Sequence, residues 1–173
     1  MKLREEFEFS IEVMMTDKEK NEFMKRIKNA KSNNIFVQKE INPDSHIRGV
    51  YGFFAIRDKE EIPFYIGKSL NIFNRLFTGH IYNYLRGVRN TDVQQRMENF
   101  LGKGYTVEVR ILKRVEYKGD SFIQDANRLA LAELEEILKQ QDNGYCKTTD
   151  QISEAVKKEY EEREWNHMFE KRF

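Results

Sequence analysis

Four polar side chains of types used in phosphate chemistry lie within one short stretch of the sequence. Tyr51 and Tyr65 carry phenol hydroxyls, and Lys68 and Arg75 carry positive charges. A guanidinium stays charged and can bind two oxygens of a phosphate group at once. A phenol titrates near pH 10, so a tyrosine acts as a base at neutral pH only when a nearby cation or metal ion lowers its pKa.

A carboxylate lies further along the chain, on a long helix predicted from about 121 to 141. Glu133 follows Leu129 by four residues and precedes Ile137 by four, which places it within the apolar stripe, where an unpaired charge is costly. Either it pairs with a neighbouring Lys or Arg, or it holds a metal ion such as Mg²⁺, which takes few protein ligands and prefers oxygen. Glu135 and Glu136 are predicted to point more toward solvent, and Glu136 is the next candidate ligand. The residues of this helix predicted to face inward are Phe122, Ile123, Ala126, Leu129, Ala130, Ile137 and Leu138.

The elements that must position these groups begin with a predicted β-hairpin. Two apolar runs, 50–56 and 62–67, are rich in aromatic and β-branched residues and flank a charged turn at 57–61. Pro63 is tolerated at the start of a strand or on an edge, so the second strand is predicted to begin there. Apolar residues then recur at helical spacing after Asn71, the predicted N-cap, and Arg75 lies off that stripe.

The rest of the core follows from the same patterns. A second helix is predicted to begin after Thr91, and the alternating run 105–112 is a third strand that precedes the long helix. The order β-β-α-α-β-α indicates an α+β fold, a small three-stranded antiparallel sheet flanked by helices. Residues 1–46 are predicted as an extension that packs on the core, with a strand at 7–13, a helix after Thr16 or Asp17 and a short strand at 35–37.

The end of the chain, residues 148–173, is predicted as a helix capped by Thr149 or Asp150. We therefore divide the chain into an N-terminal extension at 1–46, a core domain at 47–147 and this C-terminal helix. The apolar residues of the helix are Ile152, Val156, Tyr160, Trp165, Met168 and Phe169.

The order of these groups resembles the GIY-YIG nuclease superfamily. Residues 49–51, Gly-Val-Tyr, stand in the place of the first tripeptide, and residues 65–67, Tyr-Ile-Gly, reproduce the second. Arg75 follows on a helix, ten residues past the second tyrosine. The resemblance covers about residues 47–146 and implies a three-stranded antiparallel sheet with helices around it. It also implies hydrolysis of phosphodiester bonds with Mg²⁺ or Mn²⁺.

The resemblance assigns roles to the same side chains. It implies that Tyr51 is the general base, that Tyr65 and Lys68 support it, and that Glu133 binds the metal ion. Arg75 would hold the phosphate oxygens.

Two further positions are less regular. Related nucleases often carry a His four residues after the Arg, but here Gly79 stands there and His80 comes fifth, about 140° from Arg75 on an ideal helix. Either the helix is distorted at Gly79, or His80 is half-buried and structural. Asn143 resembles the Asn that many members carry after the metal-binding Glu, but its position just past the long helix favours an ordinary C-cap on local grounds.

Positive charge is concentrated near the motif. Nine basic and three acidic residues lie between Tyr65 and Arg114, a net charge of +6 in a chain whose total is +1. Such an excess is typical of a phosphate-binding face and also of an ordinary solvated surface. The predicted nucleic-acid contacts are Lys68, Arg75, Arg86, Arg89 and Asn143.

Length and composition restrict the class of protein. The chain has 173 residues, 34% of them charged and 13% aromatic, which fits one domain with an appendage. The single cysteine, Cys146, excludes an intramolecular disulfide and a cysteine-based zinc cluster. No apolar run reaches the roughly 20 residues that span a bilayer, and no signal-peptide pattern opens the chain, so we expect a cytoplasmic protein.

Three functions are compatible with the sequence. The first is a divalent-metal-dependent DNA endonuclease of a compact restriction or phage type, because no segment is long enough for a separate DNA-reading domain. The second is a catalytically inactive nucleic-acid-binding module of the same fold. The third is a protein-interaction domain in which the motif is a coincidence. The terminal segments are also a candidate surface for a homodimer. The complete set of tyrosines, arginine and helical glutamate favours the first. DNA against RNA, and single against double strands, stay open.

Overall fold

The computed structural model describes residues 15–143. The strand predicted at 7–13 and the helix predicted at 148–173 lie outside the described residues. Within residues 15–143 the chain forms helices and strands as follows: α1 (Asp17–Ser32), β1 (Ile35–Val37), β2 (Gly49–Arg57), β3 (Glu60–Ser69), α2, α3 (Asp92–Gly102), β4 (Thr106–Arg114) and α4 (Phe122–Asp142). Helix α2 has three consecutive segments, an α-helical turn Ile72–Asn74, a π-helical turn Arg75–His80 and an α-helical segment Ile81–Leu85. None of these helices is long and apolar enough to cross a membrane.

The hairpin forms where it was predicted, with longer strands. Its turn is Asp58-Lys59, and Asp58 has a φ of 54°, a left-handed conformation that aspartate tolerates. Strand β3 begins at Glu60 rather than at Pro63. Pro63 is accommodated inside it because β3 is an edge strand and its pairing with β2 shifts register beside this residue.

The sheet corrects part of the predicted architecture. In the described part of the chain it has four strands, in the order β1-β4-β2-β3. Strand β2 is antiparallel to both β3 and β4, and β1 pairs with β4 in parallel. The α+β class is confirmed, but the prediction of three antiparallel strands is wrong, because the short strand at 35–37 extends the sheet and makes it mixed.

Helices cover both faces of the sheet, since successive residues of a strand point to opposite sides. Tyr51 and Phe53 of β2 belong to the larger core, together with apolar residues of α2 and α3. Val50 points the other way and packs against Ala132 and Ile137 of α4. The two tyrosine-bearing strands therefore lie between α2 on one face and α4 on the other.

Helix α4 turns a different side to the sheet from the one predicted. Leu129 and Ile137 are buried as expected, but Phe122, Ile123 and Leu138 are 86%, 69% and 56% exposed. Glu136, expected to point toward solvent, is buried.

A buried arginine fixes the start of α4 against β2. The Arg48 guanidinium donates to the carbonyl oxygens of Val115, at 2.7 Å, and Asp125, at 2.6 Å. The Asp125 carboxylate accepts from the backbone N–H groups of Lys118 and Gly119, both at 3.0 Å. These bonds explain the corrected orientation, because they place the polar Asp125 on the buried side of the helix. They also set where the later residues of α4 meet the sheet.

Candidate active site

The hairpin brings the two motif tyrosines together on one face of the sheet. Tyr51 is opposite Gly67 in the pairing of β2 with β3, and Phe53 is opposite Tyr65. The rings of Tyr51 and Tyr65 are 6.3 Å apart, and Tyr51 is fully buried whereas Tyr65 is half-buried. A Cβ atom at Gly67 would lie 2.9 Å from the Tyr51 hydroxyl oxygen. The glycine of the second tripeptide thus leaves the room that the Tyr51 hydroxyl occupies.

The tyrosine hydroxyls meet an arginine and a histidine from helix α2. The Tyr51 hydroxyl lies 3.0 Å from Nε2 of His80, and it also interacts with the hydroxyl of Tyr65. The guanidinium of Arg75 interacts with both hydroxyls. Arg75 is exposed, so it is the side of this cluster that faces solvent. The structure therefore brings together four of the six residues predicted to be catalytic. The other two, Lys68 and Glu133, are described below.

The π-helical turn answers the question that the spacing of Arg75 and His80 left open. The backbone N–H of Ile81 bonds to the carbonyl of Leu76, five residues earlier, instead of four as in an α-helix. A turn that takes about one extra residue brings positions five apart onto the same side. His80 consequently shares the site with Arg75, as the interpretation with a distorted helix requires. At 6% exposed, it is also more buried than the half-buried residue of the other interpretation. Gly79, inside the turn, would meet nothing within 4 Å if it carried a Cβ.

Burial controls the protonation of the cluster. It raises the pKa of Tyr51, and it raises that of Tyr65, where the Arg75 charge acts in the opposite direction. Burial, with the Arg75 charge second, lowers the pKa of His80 to about 4. At neutral pH the phenols are protonated and the imidazole is neutral, which lets the Tyr51 hydroxyl donate to Nε2. Loss of water outweighs the Arg75 charge at Tyr51, so the arginine by itself does not make this phenol acidic.

The carboxylate of Glu133 reaches the site around edge strand β3. It forms an ion pair with the ammonium group of Lys68, and its side chain is 18% exposed. Its charge is also close enough to Tyr65 to raise that pKa further. Of the three candidate glutamates, Glu135 pairs with Lys113 instead, and Glu136 is buried beneath α4. The structure thus shows the first of the two interpretations of Glu133, an ion pair with a neighbouring lysine, and that partner is itself a predicted site residue. The role of Glu133 as a metal ligand stays a prediction.

The donor set near Glu133 fits one kind of metal ion. Among the described residues, no three His, Cys, Asp or Glu side chains are grouped to hold a metal. A cage built from protein ligands is therefore not present there. One partly exposed carboxylate fits Mg²⁺, which retains waters and shares its other positions with substrate phosphates.

The predicted nucleic-acid contacts outside the cluster are not gathered there. Arg89 forms an ion pair with Glu98 at 2.7 Å, and the Arg86 guanidinium lies over the ring of Tyr82 at 5.3 Å. Asn143 lies about 15 Å along α4 from Glu133, at a cleft of about 710 Å³ that Phe36 and other residues of β1 and β4 line. The structure does not bring Asn143 together with the tyrosines.

Ion pairs also reduce the local positive charge. Of the nine basic residues between Tyr65 and Arg114, most are paired with carboxylates. In the described part of the chain, those without an ion-pair partner are Arg75, Arg86, Lys103 and Arg114.

Comparison with known proteins adds no relative to this description. No protein-family model, no curated protein and no solved structure matches the chain.

Proposed function

We propose that this chain is a divalent-metal-dependent endonuclease that hydrolyses phosphodiester bonds in DNA, a compact restriction-type or phage-type enzyme similar to the GIY-YIG nucleases. One observation carries the proposal. Two tyrosine hydroxyls, a solvent-facing arginine and a neutral histidine converge on one point, with the Lys68–Glu133 pair alongside.

Arg75 binds the phosphate in this mechanism. Its guanidinium is exposed, and the described residues provide no carboxylate to neutralise it. It can therefore bind two phosphoryl oxygens and stabilise the negative charge that grows on them during attack. Its second contact, with the tyrosine hydroxyls, holds the phosphate next to the groups that receive the proton.

The hydroxyl pair and His80 form the path for that proton. The attacking water gives its proton to the tyrosine pair, and the Tyr51 hydroxyl passes its own proton to the neutral Nε2 of His80. A neutral phenol with a raised pKa is a poor base alone, so the imidazole is the final acceptor. Because burial holds the pKa of His80 at about 4 in the free protein, the imidazole accepts this proton only when the negative phosphate of the bound substrate raises that pKa. Tyr65 is the half-buried member and so forms the outer end of the path.

Glu133 would hold the metal ion, and the substrate phosphate would supply further oxygen ligands. Mg²⁺, when bound, would supply positive charge that stabilises the departing oxygen. Lys68, freed from its ion pair, is then available to a phosphate.

The experiment that tests the proposal is a plasmid cleavage assay with Mg²⁺ and with a chelator, followed by mapping of the cut ends. Arg75→Ala should lose cleavage on the order of 10²-fold or more, the scale for one transition-state contact. Arg114→Ala is the matched control, a second exposed arginine outside the predicted nucleic-acid contacts, and should cleave as the wild type does. Wild-type cleavage by Arg75→Ala would refute the assignment.

A DNA-binding module without catalysis is the second candidate, and a specific observation favours it. Tyr51 has no exposed surface, so its hydroxyl is out of contact with solvent as it stands. This candidate predicts a salt-sensitive shift of DNA in a native gel, weakened in Arg75→Ala, with no cut ends under any metal condition.

A further inference from the structure

A buried carbonyl in the π-helical turn of α2 is bonded by a side chain from another helix. A π-helical turn holds one residue more than an α-helical turn, so one carbonyl loses its amide partner where the bond spacing returns from five residues to four. The Ile81 N–H bonds to the carbonyl of Leu76, and the carbonyl that follows is that of Phe77. Phe77 has no exposed surface, so its carbonyl needs a partner from the protein.

Arg26 of α1 supplies that partner. Its Nη1 donates to the Phe77 carbonyl at 2.8 Å, although the two residues are 51 positions apart in the sequence. The guanidinium lies 3.9 Å from the centre of the Tyr82 ring and 5.0 Å from that of Phe23. Tyr82 belongs to α2 and Phe23 to α1, so contacts from both helices hold the arginine with its donor at the turn.

We propose that Arg26 is a positioning residue for His80, which acts by replacing the backbone bond that the π-helical turn lacks. In a regular helix Arg75 and His80 would be about 140° apart. The π-helical turn removes this offset and brings Nε2 of His80 to 3.0 Å from the Tyr51 hydroxyl. Loss of the Arg26 bond leaves a buried carbonyl unpaired, which favours rearrangement of the turn and takes the imidazole away from Tyr51. The effect on cleavage rests on the proposed function, whereas the effect on the position of His80 does not.

A double-mutant cycle tests whether Arg26 and the extra residue of the turn act together. Arg26→Met keeps an unbranched side chain and removes the donor, so the melting temperature of the full chain should fall by about 5 °C. Deletion of Gly79, where a Cβ would meet nothing within 4 Å, removes the extra residue and should give a regular turn with no carbonyl left over. In that background Arg26→Met should lower the melting temperature by less than about half as much, and an equal fall in both backgrounds would overturn the proposal. If Arg26→Met alone does not fold, recovery of a folded protein in the deletion background is the supporting result, and failure to recover it overturns the proposal.

NMR of the full chain without substrate reads the position of His80 directly. The ring centroids of His80 and Tyr65 are 5.3 Å apart, so the wild type should show a nuclear Overhauser effect between their ring protons. Arg26→Met should lose most of this signal. The matched control Arg57→Met also removes an arginine that donates to a backbone carbonyl, that of Lys103 at 3.1 Å, and should keep the signal. A full signal in Arg26→Met, or an equal loss in both variants, would overturn the proposal.

Plasmid cleavage adds a kinetic check that depends on the proposed function. Arg26 does not contact the phosphate in this mechanism, so Arg26→Met should lower kcat on the order of 10²-fold through the displaced His80 and leave KM for the plasmid within about twofold. Arg57→Met should keep the wild-type values of both. A raised KM with unchanged kcat would show that Arg26 binds DNA instead, and would overturn the proposal. If the wild type cleaves no plasmid, the nuclease proposal is refuted, and the NMR and melting measurements still decide the role of Arg26.

Discussion

Gly67 offers a sharp test of how the site is built, because a single added methyl group meets both tyrosines. A Cβ at this position would lie 2.9 Å from the Tyr51 hydroxyl oxygen and 2.9 Å from Cε1 of Tyr65. Ordinary contacts begin near 3.4 Å, so the rings must move by about half an ångström. Tyr51 has no exposed surface, so its ring cannot move out into solvent without disturbing its neighbours.

The expected magnitude follows from this displacement. Overpacking a buried position costs about 1–3 kcal/mol, which corresponds to a fall of roughly 5 °C in melting temperature for a chain of this size. The hydrogen bond from Tyr51 to His80, now 3.0 Å, would lengthen toward the limit at which such bonds are lost. A misplaced proton path should lower cleavage on the order of 10²-fold.

The assay compares thermal unfolding and plasmid cleavage of Gly67→Ala with those of Gly102→Ala. The control makes the same substitution at the end of α3, where a Cβ meets nothing within 4 Å. It should unfold at or slightly above the wild-type temperature, because alanine favours a helix over glycine by about 0.5–1 kcal/mol. If Gly67→Ala matches the control in both measurements, the close contact of Gly67 with Tyr51 does not govern the site.

Three further predictions concern the same cluster. Tyr51→Phe keeps the ring and removes the hydroxyl, so cleavage should fall on the order of 10²-fold while DNA affinity in a gel shift is retained; unchanged cleavage would place the proton path elsewhere. Burial lowers the pKa of His80 from its ordinary 6.5 to about 4. Between these two pH values the imidazole is protonated in the unfolded chain and neutral in the folded protein. The free energy of unfolding, from urea titrations, should therefore fall between pH 6.5 and pH 4 by about 3 kcal/mol more than in His80→Gln, and parallel curves would contradict this. Glu133→Gln should abolish Mg²⁺-dependent cleavage and keep metal-free DNA binding, whereas Glu136→Gln should cleave normally; the reverse result would move the ligand one turn along α4.

The sequence predicts this site well where local pattern decides the placement of a side chain. Alternation within the hairpin puts Tyr51 and Tyr65 on one face, and helical spacing frees Arg75 from the apolar stripe. Both features follow from residues that are close together in the sequence. The position of Glu133 was likewise predicted from its neighbours in the helix, although its ion-pair partner Lys68 is 65 residues away.

Other features depend on contacts that a local pattern does not contain. The parallel pairing of β1 with β4 joins Phe36 to Glu108, so the fourth strand could not be assigned to a neighbour from the sequence. The apolar residues of α4 occupy two sides, and periodicity alone does not say which side packs. Bonds from Arg48 decide it. The only sign of the π-helical turn in the sequence is the five-residue spacing of Arg75 and His80. That spacing fits a distorted helix and also a regular helix in which His80 is structural.

Within residues 15–143, β3 is the last strand of its sheet, and this position has a consequence for how the protein behaves at high concentration. Where such a strand leaves backbone groups unpaired, a strand of another molecule can add to it. Here Pro63 lacks an N–H, the pairing shifts register beside it, and Glu60, Glu61 and Lys68 place charges along the strand. These features oppose edge-to-edge aggregation through β3. Because β3 borders the tyrosine cluster, they also keep a second molecule from covering the cluster and blocking a large substrate.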